Sequence, residues 1–76
     1  MTDKFGHIIN VGDSVFCRDF FNHGWMPRKA LAVIEEIRLT EIKINFINVN
    51  YGWFWVRNWE LEYASVEKMF LWKLEN

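Results

Sequence analysis

The sequence predicts a small all-β domain, a barrel of about five short antiparallel strands, with a short C-terminal helix as one alternative for its last segment. Turn-forming Gly, Asn and Pro residues punctuate the 76-residue chain, and the runs between them alternate apolar and polar side chains. Aromatic residues make up 18% of the chain, which supplies the dense core that so short a domain needs. A hydrophobic content of 51% excludes a disordered chain. Residues 1–76 are expected to form one domain.

The first half of the chain predicts two strands separated by a loop. Residues 14–19 place Val15 and Cys17 on one face and Phe16 on the other, which is the period-two pattern of a half-buried strand. Residues 29–37 alternate in the same way and predict the second strand. The segment between them carries Asn, Gly and Pro, and is therefore predicted to be a loop.

The second half predicts a hairpin and then a turn. Residues 41–48 alternate with the even-numbered apolar side chains facing inward, and residues 38–40 form a tight connection from the preceding strand. Residues 53–57 predict the fourth strand, and Gly52 before it is expected to take the positive φ that other residues resist. Residues 58–60 are expected to form a short turn or 3₁₀ segment.

The C-terminal segment has two interpretations. Phe70, Trp72 and Leu74 fit one face of a strand, whereas the same region fits an apolar helical stripe with Ser65 as its N-cap. We favour a turn over residues 65–68 followed by a strand, because an open four-stranded sheet would leave an edge exposed. A helix that covers one mouth of the barrel is the alternative.

Short strands joined by hairpins, with a turn before the last, are typical of a small SH3-like barrel. Residues 5–15 read FGHIINVGDSV, and this segment resembles the start of the small SH3-like and KOW-like barrel proteins of tailed bacteriophages. In the Val-Gly-Asp-x-Val motif, Gly12 permits a sharp turn, Asp13 accepts hydrogen bonds from backbone N–H groups just after it, and Val15 enters the core. Residues 32–37 and 55–57 resemble the second and fourth strands of these proteins. The resemblance implies a barrel fold and a viral origin, and it implies no activity.

The lone cysteine is the first candidate for catalysis. Cys17 with His7 or His23 would form a thiol activated by an imidazole, which requires hydrogen-bond contact between the two side chains. Free cysteine is among the residue types most often buried, and Cys17 shares a face with Val15, so we expect it in the core. A single cysteine also excludes an internal disulfide.

Carboxylates and metal ligands are predicted to have no catalytic role. Asp13 and Asp19 lie at opposite ends of one strand, and Glu35 and Glu36 are expected on opposite faces of another, so neither pair converges. The His, Cys and Asp residues show no zinc-ligand spacing, and the glycines form no phosphate-binding loop. The sequence therefore predicts no catalytic residue, no metal site and no cofactor, and the protein is not expected to be an enzyme.

An apolar loop is the first of two candidate binding surfaces. The segment over residues 20–28 combines Asn, Gly and Pro with large apolar groups. Loops on a rigid scaffold often carry function, and Trp, Met and Arg are enriched at protein interfaces. The predicted partner-binding residues are Phe20, Phe21, Trp25, Met26 and Arg28. Alternatively, Phe20 and Trp25 fold back and close one end of the barrel.

The fourth predicted strand carries the second candidate surface. Trp53, Trp55 and Arg57 share one face of that strand. Aromatic rings interleaved with arginine are suited to stack the bases of single-stranded nucleic acid. A tryptophan-rich strand in a domain this small usually belongs to the core, so we expect these rings to lie mainly inside.

The two surfaces predict two different functions. The first is a non-catalytic, phage-encoded binding module that docks on a host or viral protein through the loop, as an inhibitor or adaptor. The second is a nucleic-acid-binding barrel that uses Trp53, Trp55 and Arg57. A net charge of -1 argues against a general nucleic-acid coat protein, which would show a basic excess. A homodimer formed through a strand edge is the alternative to a monomer.

No membrane association is predicted from the sequence. No apolar run approaches the roughly 18 residues that a membrane-spanning helix needs. The N-terminal residues lack the apolar segment of a secretory signal. We therefore expect the protein in the cytoplasm, which is the host cytoplasm if the chain is viral.

Overall fold

A computed structural model describes residues 1–18, 29–47 and 50–75, and it confirms the predicted small all-β fold. The described elements are β1 (Ser14–Arg18), β2 (Lys29–Ile37), β3 (Ile42–Phe46), β4 (Trp53–Val56), a 3₁₀ turn (Asn58–Glu60), β5 (Leu61–Tyr63) and α1 (Val66–Glu75). All strand pairs are antiparallel, and the order across the sheet is β4-β3-β2-β1-β5. The last strand lies beside the first, and the five-stranded antiparallel sheet with one short helix is consistent with the small barrel-like fold that the sequence predicts.

The long strand β2 connects the two halves of the sheet. Its first residues pair with β1, and its last residues pair with β3. The register shifts between Ile34 and Glu36, because Ile34 lies opposite Ile44 and Glu36 lies opposite Lys43. This β-bulge at Glu35 is the kind of irregularity that bends a strand and re-aims its side chains.

The core is formed by the inward-facing side chains of all five strands and by Ile9 of the N-terminal segment. Its members are less than a tenth exposed, and they are Ile9, Val15, Cys17, Ala30, Ala32, Ile34, Ile42, Ile44, Phe46, Val56 and Leu61. The predicted inward positions of the third strand are confirmed, as are those of Val15 and Cys17. Phe54 of β4 packs on this core with its ring centroid 5.8 Å from that of Phe46.

The C-terminal segment is a helix, so the favoured prediction of a strand there is wrong. Met69 and Trp72, one turn apart, pack against Phe16 and Leu31 on the side of the sheet opposite the core. Ser65 caps the helix, as the alternative predicted, and its Oγ accepts a hydrogen bond from Lys68 N at 3.2 Å. The fifth strand is the short β5, which already pairs with β1, so residues after it are free to cover the outer face.

An ion-pair cluster fastens the sheet to the start of α1. The nearly buried carboxylate of Glu62 in β5 contacts Lys29 Nζ at 2.9 Å and Lys68 Nζ at 3.3 Å. Burial alone would raise the pKa of Glu62, but its contacts with the two lysines outweigh burial and lower the pKa. Trp72 adds a hydrogen bond from its indole Nε1 to Lys29 O at 3.3 Å.

The N-terminal residues cover the free side of β5. Thr2 and Ile8 form an antiparallel bridge, and Lys4 N donates a hydrogen bond to Leu61 O at 3.0 Å. Asp3 is buried at the centre of this segment. The edge of the sheet at β5 is therefore covered at Leu61 by a backbone hydrogen bond and at Tyr63 by the Asp3 carboxylate.

Glycine occurs at the turns where the backbone has positive φ. Gly52 has φ +78°, as predicted, and Gly12 has φ +94°, with its N–H bonded to Ile34 O at 2.8 Å. Asp13 accepts a hydrogen bond from Asn10 N, three residues before it rather than after it as predicted. Over the described ranges, no helix is both long enough and apolar enough to cross a bilayer.

Candidate binding surface

Cys17 lies in the core, as the sequence predicts. The residue is 1% exposed, and burial, followed by the charge of Glu60, raises the pKa of its thiol to about 12. His7 lies elsewhere, with its Nδ1 3.7 Å from Asp3 Oδ2. In the described part of the chain, nothing activates this thiol as a nucleophile, because activation requires a lowered pKa.

We expect Cys17 to react slowly with a thiol reagent such as iodoacetamide in the native protein, and quickly after unfolding in urea. Burial and a raised pKa both keep the reactive thiolate scarce. Mass spectrometry after timed labelling measures both rates. Fast native labelling with a pH midpoint below the ordinary value of about 8.5 would contradict the buried assignment.

The outer side of β3 and β4 carries two tryptophans on the protein surface. Trp53 is 55% exposed, so the expectation that these rings lie mainly inside is wrong for Trp53, whereas Trp55 is half-buried. Phe54 and Val56 fill the inward positions of β4 instead. The cause is the register of the hairpin: Ile44 faces the core and lies opposite Phe54, which turns the neighbouring tryptophans outward.

Two cations lie over these two rings. Arg38 Cζ is 4.3 Å from the centre of the Trp55 ring, and Lys43 Nζ is 4.6 Å from the centre of the Trp53 ring. Both distances fall within the range of a favourable cation–π interaction. Arg57 follows on the same face and donates a hydrogen bond from Nη1 to Thr40 O at 3.0 Å. We call Trp53, Trp55, Arg38, Lys43 and Arg57 together the tryptophan face.

Two carboxylates border the tryptophan face. Glu36 Oε2 is 2.6 Å from Arg38 Nε, and Glu35 Oε2 is 3.8 Å from Lys43 Nζ. The prediction that Glu35 and Glu36 point to opposite faces of their strand is therefore wrong. The bulge in β2 places both on the outer side, because Glu36 lies opposite the outward-facing Lys43.

The structure brings together one of the two predicted surfaces. Trp53, Trp55 and Arg57 lie on one face as predicted, whereas the contributions of Arg38, Lys43 and the two glutamates were missed. The other predicted set, Phe20, Phe21, Trp25, Met26 and Arg28, lies outside the described residues.

The chain matches no protein-family model, no curated protein and no solved structure with which it was compared. Within the described ranges, no group of three or more His, Cys, Asp or Glu side chains is placed to hold a metal ion.

Proposed function

We propose that this protein is a non-catalytic binding module that holds single-stranded nucleic acid on the tryptophan face. The observation that carries the proposal is the pair of outward-facing indoles, Trp53 and Trp55, each with a cation stacked over its ring. Stacking of one base on an aromatic side chain is worth about 1–3 kcal/mol and is tolerant of sequence.

The basic side chains are the second feature that suits the tryptophan face to nucleic acid. A base that stacks on a ring displaces the long side chain of Lys43 or Arg38, and the displaced cation stays within reach of the neighbouring phosphate. Arg57 extends the line of positive charge beyond Trp55. Aromatic rings on a sheet with basic side chains beside them are a common means of binding unpaired bases.

The sheet supports the two rings rigidly. Each tryptophan alternates with a side chain that packs inward, Phe54 or Val56, and β4 is hydrogen-bonded to β3 along its length. The backbone beneath the rings is therefore fixed before any ligand arrives, and this lowers the entropic cost of binding.

We expect Trp53→Ala to weaken binding of an oligothymidylate of about 15 nucleotides by about tenfold or more, since the change removes one stacking platform. The melting temperature should stay nearly unchanged, because the ring is exposed. Quenching of tryptophan fluorescence during titration measures the affinity. With three cations on the face, the slope of log K against log salt should be no steeper than about -2.

Trp59→Ala is the matched control for Trp53→Ala. Trp59 lies on the 3₁₀ turn and is 65% exposed, so its removal deletes a comparably exposed indole outside the tryptophan face. Equal losses for the two variants, or no binding of the oligonucleotide by the unaltered protein, would contradict the proposal.

The loop over residues 20–28 supports a second candidate function, docking on a host or viral protein. Its support is the concentration of large apolar groups in a loop sequence. The resemblance to barrel proteins of tailed phages favours a viral origin, with action in the host cytoplasm. If the loop is the docking site, Trp25→Ala should leave the melting temperature unchanged and weaken binding of the protein partner by about 2 kcal/mol or more. A large loss of stability would instead show that Trp25 closes the barrel.

A further inference from the structure

The bulge in β2 places two carboxylates where they control the charge of the tryptophan face. Glu35 and Glu36 both lie on its border, and each is paired with one of the cations that stack on a ring. In a regular strand, adjacent residues would point to opposite faces, and only one of the two would reach this surface. Bulges are over-represented beside functional sites, where they re-aim side chains.

The two carboxylates nearly neutralise the face. The face carries the three cations Arg38, Lys43 and Arg57, and the two carboxylates offset two of these three positive charges. A DNA duplex presents its phosphates but keeps its bases stacked inside, so it depends on positive charge to bind such a surface. A single strand also offers its bases to the indoles, and stacking does not depend on net charge.

We propose that Glu35 and Glu36 are specificity-determining residues that make the tryptophan face prefer single strands to duplexes. They hold Lys43 and Arg38 in ion pairs, so that a ligand without free bases gains little from these cations. The bases of a single strand displace the cations from the rings by stacking, and the displaced cations then lie within reach of the phosphates of that strand. This inference rests on the proposed function and adds the basis of its selectivity.

The test compares Glu35→Gln/Glu36→Gln with the unaltered protein on two probes, the oligothymidylate and a DNA duplex of about 15 base pairs. We expect the double variant to bind the duplex at least about fivefold more tightly at about 50 mM salt, because each freed cation steepens the salt slope by about 0.9. The preference for the single strand should fall accordingly. Folding should be retained, since exposed ion pairs contribute about 0–1 kcal/mol.

Glu67→Gln/Glu75→Gln is the matched control, because both side chains are exposed on α1, which packs against β1 and β2 rather than β3 and β4, and the change in net charge is the same. This control variant should bind the duplex as the unaltered protein does. Equal duplex binding by the two double variants would overturn the inference, as would weaker single-strand binding by Glu35→Gln/Glu36→Gln. Binding of oligothymidylate by the unaltered protein tests the proposed function. The difference in duplex binding between the two double variants tests the role of Glu35 and Glu36, and it can be measured whether or not oligothymidylate binds.

Discussion

Asp3→Ala is expected to destabilise the domain by about 3–4 kcal/mol, one of the largest effects that a single substitution should have in this chain. The Asp3 carboxylate is buried and accepts three backbone hydrogen bonds: from Phe5 N at 2.9 Å, His7 N at 2.8 Å and Tyr63 N at 2.7 Å. The first two close the N-terminal turn, and the third joins that turn to β5. Removing the acceptor leaves all three donors without their partner, and unfolding in urea measures the loss.

Asp13→Ala is the control for this substitution. Among the described residues, the Asp13 carboxylate accepts one backbone hydrogen bond, from Asn10 N, at an exposed position. We expect its removal to cost no more than about 1 kcal/mol. If the two alanine variants unfolded at the same urea concentration, Asp3 would not be the fastening point of the N-terminal segment.

The contribution of Asp3 should also depend on pH. Burial alone would raise the pKa of Asp3, but hydrogen bonds from Tyr63, His7 and Phe5 outweigh burial and lower the pKa. The stabilisation is therefore complete above the unfolded value of about 3.9 and is lost as the pH falls through the lower folded value. The stability difference between the unaltered protein and Asp3→Ala should shrink as the pH falls below about 4.

The strands were predictable where only one face is apolar, most clearly in β3. In β3 the alternation of Ile42, Ile44 and Phe46 with polar residues leaves no doubt about which side faces inward, and the structure agrees. Turn residues marked the ends of these strands, and the positive φ of Gly52 followed from its place before β4.

The orientation of β4 could not be read in the same way, because both of its faces are apolar. Alternation showed that Trp53 and Trp55 share a face, but only the pairing of Phe54 with the buried Ile44 decides which face is inside. Arg57 was the available signal, since a charged residue beside the two rings favours the outer side.

The glutamates beside these rings were missed for a different reason. A bulge adds one residue to a strand and reverses the alternation after it. The available signal was the pair of adjacent glutamates between Ile34 and Ile37, which breaks the alternation of β2 at the position of the register shift. The sequence therefore predicted one half of the tryptophan face and not the carboxylates that border it.

The C-terminal segment was ambiguous because its apolar residues satisfy two periods at once. A strand would place Phe70, Trp72 and Leu74 on one face, whereas the helix turns Trp72 toward the sheet and leaves the other two exposed. The burial of Phe16 and Leu31 on the outer side of the sheet decides between them, since these side chains need a covering element. The sequence does not show that Phe16 and Leu31 are buried, because their burial depends on α1 packing against the outer side of the sheet.

Alanine substitutions along α1 separate the two arrangements in solution. Trp72→Ala is expected to cost about 2–3 kcal/mol of stability, less than for a fully buried tryptophan because the ring is partly exposed. The change removes the packing of the indole on Phe16, at a centroid distance of 5.7 Å, and its hydrogen bond to Lys29 O. Thermal melting followed by circular dichroism measures the shift.

Phe70→Ala and Leu74→Ala are the paired controls, with exposures of 62% and 70% in the helix. Each should change stability by no more than about 0.5 kcal/mol, as is usual for surface positions. In a strand with all three side chains on one buried face, the three variants would instead lose stability together, by amounts that follow the size of the side chain removed. A loss of stability at Trp72 alone thus indicates a helix, whose side chains repeat every 3.6 residues. Similar losses in all three variants would indicate a strand, whose side chains repeat every two residues.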